Sequence, residues 1–343
     1  MYLPPPTYAF IIPSLYDEIQ LECRVYLPHG LLQSKSIRGA IVAHPYAPLG
    51  GCYDDPVVNF MGGELLEAGY IVGTFNFRGA GNSEGRTSWT AKPELADYAS
   101  FYSFMLCYMH SLRLLLVPRL ENRTTQQEIN ERHDVKRAPT SETIHLILGG
   151  YSYGSLIASH LPSSDVILEL LKCSIEGTPS YAIIQTAERI AASILKCDDR
   201  TTKHQSTGGA SKCIQPPREA LDVPQINISY LIISPLLPPV NLFLTLFSTM
   251  SLDVGATLIS QGRQILCPKP NHQQCLHRTL AIYGNQDTFT PVSKLRKWSD
   301  GLINTPQSQF HSVEIDGAGH FWRERGAETQ ARDALREWLR MVP

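Results

Sequence analysis

The 343-residue chain has little excess of either charge: 30 Lys and Arg stand against 32 Asp and Glu, a formal net charge of −2. Without a basic field, the attraction that draws proteins to nucleic acid is missing, and no nucleic-acid partner is expected. No apolar run reaches about 18 residues, so no stable membrane insertion is expected. The greasiest segment, Tyr230 to Phe247, is interrupted by Pro235, Pro238 and Pro239, too many for one continuous helix. The opening MYLPPPTYAF has neither the basic start nor the apolar stretch of a secretory signal. Eight cysteines contain no C-x-x-C pair and no dense framework, which reads as reduced thiols in a cytoplasmic setting. Cys23, Cys107 and Cys173 lie in apolar-periodic surroundings and read as buried thiols. Cys267, His272, Cys275 and His277 match no common zinc spacing, and their segment reads as a connector, so no metal is expected. Gly79-Ala80-Gly81 opens like a dinucleotide loop, but Glu84 occupies the third glycine position. Its charge would oppose a pyrophosphate, no Walker A sequence occurs, and no cofactor is expected.

What is present is an alternation of short apolar strands with helical periods. Thr7–Ile12 and Leu21–Leu27 read as an antiparallel pair. Gly39–Ala43, Tyr70–Phe77, Ile144–Leu148, Tyr230–Ser234, Arg278–Gly284 and Ser312–Ile315 read as further strands. Gly62–Ala68, Ala96–Leu116, Val166–Lys172, Tyr181–Lys196, Val292–Gly301 and Glu328–Met341 read as helices. This order implies an open, mostly parallel α/β sheet flanked by helices in a single domain spanning 1–343. Residues 121–142 are polar without apolar periodicity and are read as a surface insertion. A second insertion at about 165–225 is read as a helical half that forms a partial cap and a loose loop over Asp198–Pro224.

The sharpest signal is Gly149-Gly150-Tyr151-Ser152-Tyr153-Gly154, set between a strand and a helical run. A serine on such a turn has strained backbone angles, and glycines on either side remove side chains that would collide there. Its hydroxyl then stands beside the positive end of the following helix. A serine needs a general base, itself oriented by an acid. Asp287 follows the strand Arg278–Gly284 and His320 follows the strand ending at Ile315, both at carboxyl ends of strands. Ser152, Asp287 and His320 are therefore the expected catalytic set. Asp97 and Asp316 are alternative acids, the first on a helix of unknown register, the second very near His320 in the chain.

The stretches AHPYAPLGG, FNFRGAGNSEGR, GGYSYGS, YGNQDTFTP and GAGHFW together resemble the α/β-hydrolase-fold serine hydrolases, in particular small esterase-like members. The resemblance runs from about residue 20 to the C-terminus. It implies a backbone oxyanion hole formed by the N–H of Tyr153 and one from the loop after Gly39–Ala43. Pro45 has no N–H, so Tyr46 is the natural second donor, with Ala47 next. His44 is read as shaping this loop, and Ser83 and Glu84 as stabilising theirs. Phe289, Phe321 and Trp322 fall beside the site and are expected in the substrate pocket, favouring an apolar or aromatic group. The expected activity is hydrolysis of a small-molecule carboxylic ester or thioester through an acyl-enzyme. An acyltransferase using the same set, and a non-catalytic binding protein on this scaffold, are the alternatives. Nothing in the sequence indicates an oligomeric state.

Overall fold

In the computed structural model every residue is described except 32, 33, 35, 129–142, 173, 203–224, 247, 256–262 and 343. The chain begins with β1 (Tyr8–Pro13), β2 (Gln20–Tyr26) and β3 (Arg38–Ala43), then α1 (Pro56–Glu67), β4 (Ile71–Phe75) and α2 (Lys92–Glu128). β5 (Ile144–Tyr151) runs directly into α3 (Tyr153–Ala158), followed by α4 (Ser164–Lys172), α5 (Pro179–Thr202) and β6 (Ile226–Ile233). Next come α6 (Val240–Leu244), β7 (Ser251–Val254), β8 (Arg263–Leu266) and α7 (Pro270–Leu276). The chain ends with β9 (Arg278–Gly284), α8 (Val292–Ile303), β10 (Phe310–Ile315) and α9 (Ala327–Leu339).

Eight strands form one sheet in the order β1-β2-β4-β3-β5-β6-β9-β10. The first two pairings, β1 with β2 and β2 with β4, are antiparallel, and the rest are parallel. Parallel strands buried on both faces carry apolar residues throughout, and β4 and β5 are buried at every position. Successive side chains serve opposite faces. In β3, Ile41 and Ala43 join one core with α2 and α5, while Ala40 and Val42 join a second core with α1 and α9. The chain leaves β3 to build β4 on one side and returns to build β5 on the other. That reversal opens a crevice at the carboxyl ends of β3 and β5, where α/β sheets gather their ligands.

Several elements differ from the sequence reading: α5 runs on to Thr202, β6 starts at Ile226, and the expected connector contains helix α7. Helix α1 starts at Pro56, six residues before the expected Gly62, because Asp55 caps it by accepting the Val57 N–H at 2.8 Å. Its Gly62 and Gly63 suit a close crossing: a Cβ at Gly63 would collide with the Met1 carbonyl, and one at Gly62 with Leu3. Helix α2 continues to Glu128, so residues 121–128 of the expected surface insertion are helical. A polar helix has no apolar stripe to read, but its Glu, Arg and Gln residues are good helix formers. The rest of that segment, 129–142, lies outside the described residues, as does Cys173. The pair β7–β8 is a separate antiparallel hairpin that four-residue strands gave no period to detect. Over 164–202 the candidate cap segment is α4 and α5. The Ile183, Ala187, Ile190 and Ala191 side chains of α5 join the core against α2. Of the loop expected over Asp198–Pro224, residues 198–202 instead continue helix α5, and 203–224 lie outside the described residues.

The face opposite α2 is closed by one carboxylate. Glu64 on α1, with 1% of its side chain exposed, accepts from Arg332 Nη1 at 2.5 Å and Arg336 Nε at 2.5 Å on α9. Burial pushes the Glu64 carboxyl up, but the hydrogen bonds from Arg336 and Arg332 outweigh it and hold the group below the usual carboxylate range. Its contribution is therefore present at neutral pH and lost as acid protonates it. We expect Glu64→Leu to destabilise the fold in urea titration. The loss should fall at the low end of the about 3–5 kcal/mol for breaking a buried pair, because Arg336 is half exposed. An unchanged midpoint would show that α9 is held by its apolar face alone.

Candidate functional site

Ser152 stands at the junction of β5 and α3 with φ 54° and ψ −112°, a left-handed conformation that a non-glycine residue adopts only under constraint. The constraint is visible on both sides. A Cβ at Gly150 would collide with the backbone of Gly154, and a Cβ at Gly154 would collide with the Ala43 carbonyl at the end of β3. The turn is pinned by the Ser152 N–H, which donates to Ile233 O at 2.8 Å on β6. The Ser152 carbonyl in turn accepts from Ser155 and Leu156 N–H at 3.1 Å as α3 begins.

His320 lies in the turn after β10 and presents Nε2 to Ser152 Oγ at 2.8 Å. Its Nδ1 faces Asp287 Oδ2 at 2.7 Å. Asp287 caps its own turn: Oδ1 accepts from Phe289 N–H at 2.7 Å and Thr290 N–H at 3.0 Å, leaving Oδ2 for the imidazole. The backbone of the histidine is tied to the strand-to-helix turn at Ser152, the elbow, as well, since Tyr151 Oη donates to His320 O at 2.7 Å. All three side chains are almost fully buried, so the two contacts act with little solvent screening. The structure thus brings Ser152, His320 and Asp287 into one hydrogen-bonded line. The alternative acids are engaged elsewhere. Asp97 accepts from Arg78 Nη2 at 2.7 Å and Ser14 Oγ at 2.7 Å, and Asp316 accepts from Asn285 Nδ2 at 2.8 Å.

Beside the serine, the loop 44–51 is shaped by His44. Its Nε2 accepts from Phe77 N–H at 2.9 Å, and its Nδ1 meets Pro45 O at 2.6 Å, which fixes the proton on Nδ1. Gly51 N–H donates back to Tyr46 O at 3.2 Å, and a Cβ at Gly51 would collide with the Pro45 carbonyl, so the loop folds tightly on itself. Tyr46 and Tyr153 lie side by side across the crevice. Among the described residues no acceptor takes the backbone N–H of either one. The neighbouring loop 76–86 is braced by Ser83 Oγ, which donates to Asn76 O, and by Glu84, which accepts from Gln20 N–H.

The expected pocket residues part company. Phe289 places its ring 4.3 Å from that of His320, and half-exposed Phe321 packs edge-on to both. Trp322 is instead placed in the core: its indole N–H donates to Ser234 Oγ at 2.9 Å and its ring lies against Phe60. Phe321 is half exposed while Trp322, at a positive φ, is buried. The Arg78 guanidinium, which the sequence reading did not single out, ties Asp97 and Asp17 together behind the loop 76–86. Only its place in the Arg-Gly-x-Gly loop could have marked it.

No protein-family profile and no curated protein sequence matches the chain. Solved structures do. A protein of unknown function from Agrobacterium tumefaciens, described as a candidate alpha/beta hydrolase, is 16% identical with a TM-score of 0.50, over 97% of this chain and 95% of that one. An alpha/beta serine hydrolase without a lid from Xanthomonas campestris is 17% identical, TM-score 0.48, over 99% and 97%. A thermophilic esterase from Thermogutta terrifontis, solved with propionate bound, is 13% identical, TM-score 0.48, over 99% and 95%. At these identities the likeness is one of fold: the chain has the α/β-hydrolase fold. Among the described residues no helix is long and apolar enough to cross a membrane.

Burial drives His44 down to about 4, against a weaker upward pull from the Pro45 carbonyl. The folded form therefore resists a proton that the unfolded chain accepts near 6.5, and stability is lost as pH falls from about 6.5 towards 4. His145, also driven down to about 4 by burial, acts in the same direction. Thermal melting across this window is expected to show a steep decline in the wild type and a shallower one in His44→Gln. Equal slopes would remove His44 as a source of the acid sensitivity.

Proposed function

We propose that the protein is a serine hydrolase that cleaves a small-molecule carboxylic ester or thioester through an acyl-enzyme. The observation that carries this reading is the continuous line Ser152–His320–Asp287, with spacings of 2.8 and 2.7 Å. With Nδ1–H donating to Asp287, Nε2 is left as the base facing the serine hydroxyl. His320 takes the Ser152 proton as Oγ attacks the carbonyl carbon. The C=O electrons move onto oxygen, and Asp287 stabilises the imidazolium that results. The oxyanion then lies between the N–H groups of Tyr153 and Tyr46, where fixed donors are worth most because they need no reorganisation. Collapse expels the alcohol or thiol, which takes the proton from His320. Water, deprotonated by the same imidazole, releases the acid and restores Ser152.

Phe289 and Phe321 beside His320 support an apolar or aromatic group near the scissile bond. Each line of support is geometric, and the chemistry is open to direct trial. A fluorophosphonate probe should label the purified protein on Ser152, and labelling should vanish in Ser152→Ala and His320→Ala. Asp287→Asn should lower kcat on p-nitrophenyl esters by on the order of 10⁴-fold, because the imidazole loses its tautomer. A folded protein that resists both a bulky and a small phosphonate would overturn the reading in favour of a binding role. Products that form only with an added alcohol or amine would turn it towards acyl transfer.

A further inference from the structure

The two residues whose backbone N–H groups are assigned to the oxyanion also touch each other through their side chains. The Tyr46 and Tyr153 rings lie 5.1 Å apart, edge to face at 63°. Tyr153 is buried, and its ring also meets Phe77, at 5.9 Å and 74°. Phe77 closes the circuit: its N–H donates to His44 Nε2, and its ring stands 4.9 Å from the imidazole. His44 precedes Tyr46 by two residues, so a ring of contacts runs His44, Phe77, Tyr153, Tyr46 and back along the backbone through Pro45. The two donors follow different strands, Tyr46 in the loop after β3 and Tyr153 at the start of α3 after β5, more than a hundred residues apart in the chain. The backbone ties them through Gly154, which lies against the carbonyls of Ala43 and His44, and so stops short of Tyr46 itself.

We propose that the Tyr46 ring, seated on Tyr153, is the positioning element that sets the distance between the two oxyanion donors. The inference rests on the serine-hydrolase reading. A side chain here governs backbone geometry because each ring leads back to its own N–H within a few bonds, and interiors repack in steps rather than yielding smoothly. The contact is ring to ring, edge against face, and no hydrogen bond links the Tyr46 and Tyr153 hydroxyls among the described residues. Tyr46 is only partly buried and packs against the edge of one core without being one of its buried members, so replacing it removes no fully buried core side chain. Tyr46 therefore acts on the reaction through its own amide and that of Tyr153, not by touching substrate with its ring.

The test uses Tyr46→Leu, Tyr46→Met and Tyr46→Phe, each shown by thermal melting to be folded, with p-nitrophenyl butyrate as substrate. A donor displaced by a fraction of an ångström weakens the transition state more than the bound ester. Tyr46→Leu and Tyr46→Met should then lose kcat by about tenfold or more while KM moves by less than about threefold. Inhibition by a trifluoromethyl ketone, whose hemiketal places an oxyanion at the same donors, should weaken in parallel with kcat/KM. Tyr46→Phe should rescue kcat, since it restores the ring. Undiminished kcat in both aliphatic variants would overturn the proposal, as would a loss confined to KM, which would make Tyr46 a substrate contact. Failure of Tyr46→Phe to rescue would assign the effect to the hydroxyl and overturn it too. Fluorophosphonate labelling of the wild type separates the two levels: an unlabelled wild type sinks the hydrolase reading itself, and a labelled one with indifferent Tyr46 variants sinks this inference alone.

Discussion

The site depends on one close approach of backbone to backbone. Where β5 ends, the chain must turn sharply enough to lift Ser152 off the sheet, and the turn fits only because Gly150 and Gly154 carry no Cβ. Gly154 lies against the carbonyl of Ala43, so the same contact that admits the strained serine also presses α3 onto the end of β3. Everything the proposed chemistry uses is measured from that contact. The Tyr153 N–H opens α3, the Tyr46 N–H follows β3, and the hydroxyl between them faces His320. A positive φ at a serine is costly, and it persists where the surroundings over-determine it, as the Ile233 carbonyl and the two glycines do here.

Asp287 and His320 reach this point from the other half of the sheet. β9 and β10 add in parallel beyond β6, so the turns after them open on the same edge as Ser152. Asp287 is held by two backbone N–H groups of its own turn, and His320 by Tyr151 from the elbow strand. The Asp287 side chain and the His320 backbone are thus each fixed by a bond that does not belong to the line itself, which is how a site keeps its geometry before substrate arrives. The two helical layers are closed by charged clamps: Glu64 with Arg332 and Arg336 on one face, and Arg78 with Asp97 on the other, at the carboxyl end of β4. These clamps hold the frame, and neither carboxylate is free to serve as the acid.

The positions of Ser152, Asp287 and His320 were readable because each is announced locally. A short apolar strand followed by a glycine-bearing turn states its address without any knowledge of the fold. The strands of the main sheet were readable for the same reason, with boundaries shifted by one to four residues. What the sequence concealed were features without a local period. Helix α1 begins at Asp55 and Pro56, a cap that precedes its apolar stripe. The end of α2 is polar, and the four-residue strands of β7 and β8 are too short to show alternation. Side-chain direction was equally hidden. Phe321 and Trp322 are neighbours in the chain, yet one borders His320 and the other donates to Ser234 in the core. The meeting of Tyr46 with Tyr153 depends on two loops brought together by β3 pairing with β5, a contact that no spacing in the chain records.

A crystal structure of the protein after reaction with a small phosphonate tests the account most directly. The predicted result is a bond from phosphorus to Ser152 Oγ, with the phosphoryl oxygen about 2.7–3.1 Å from the backbone nitrogens of both Tyr153 and Tyr46. The elbow should keep the left-handed serine conformation, and His320 should still bridge to Asp287. An adduct on another residue, or a phosphoryl oxygen pointing away from both N–H groups, would contradict it.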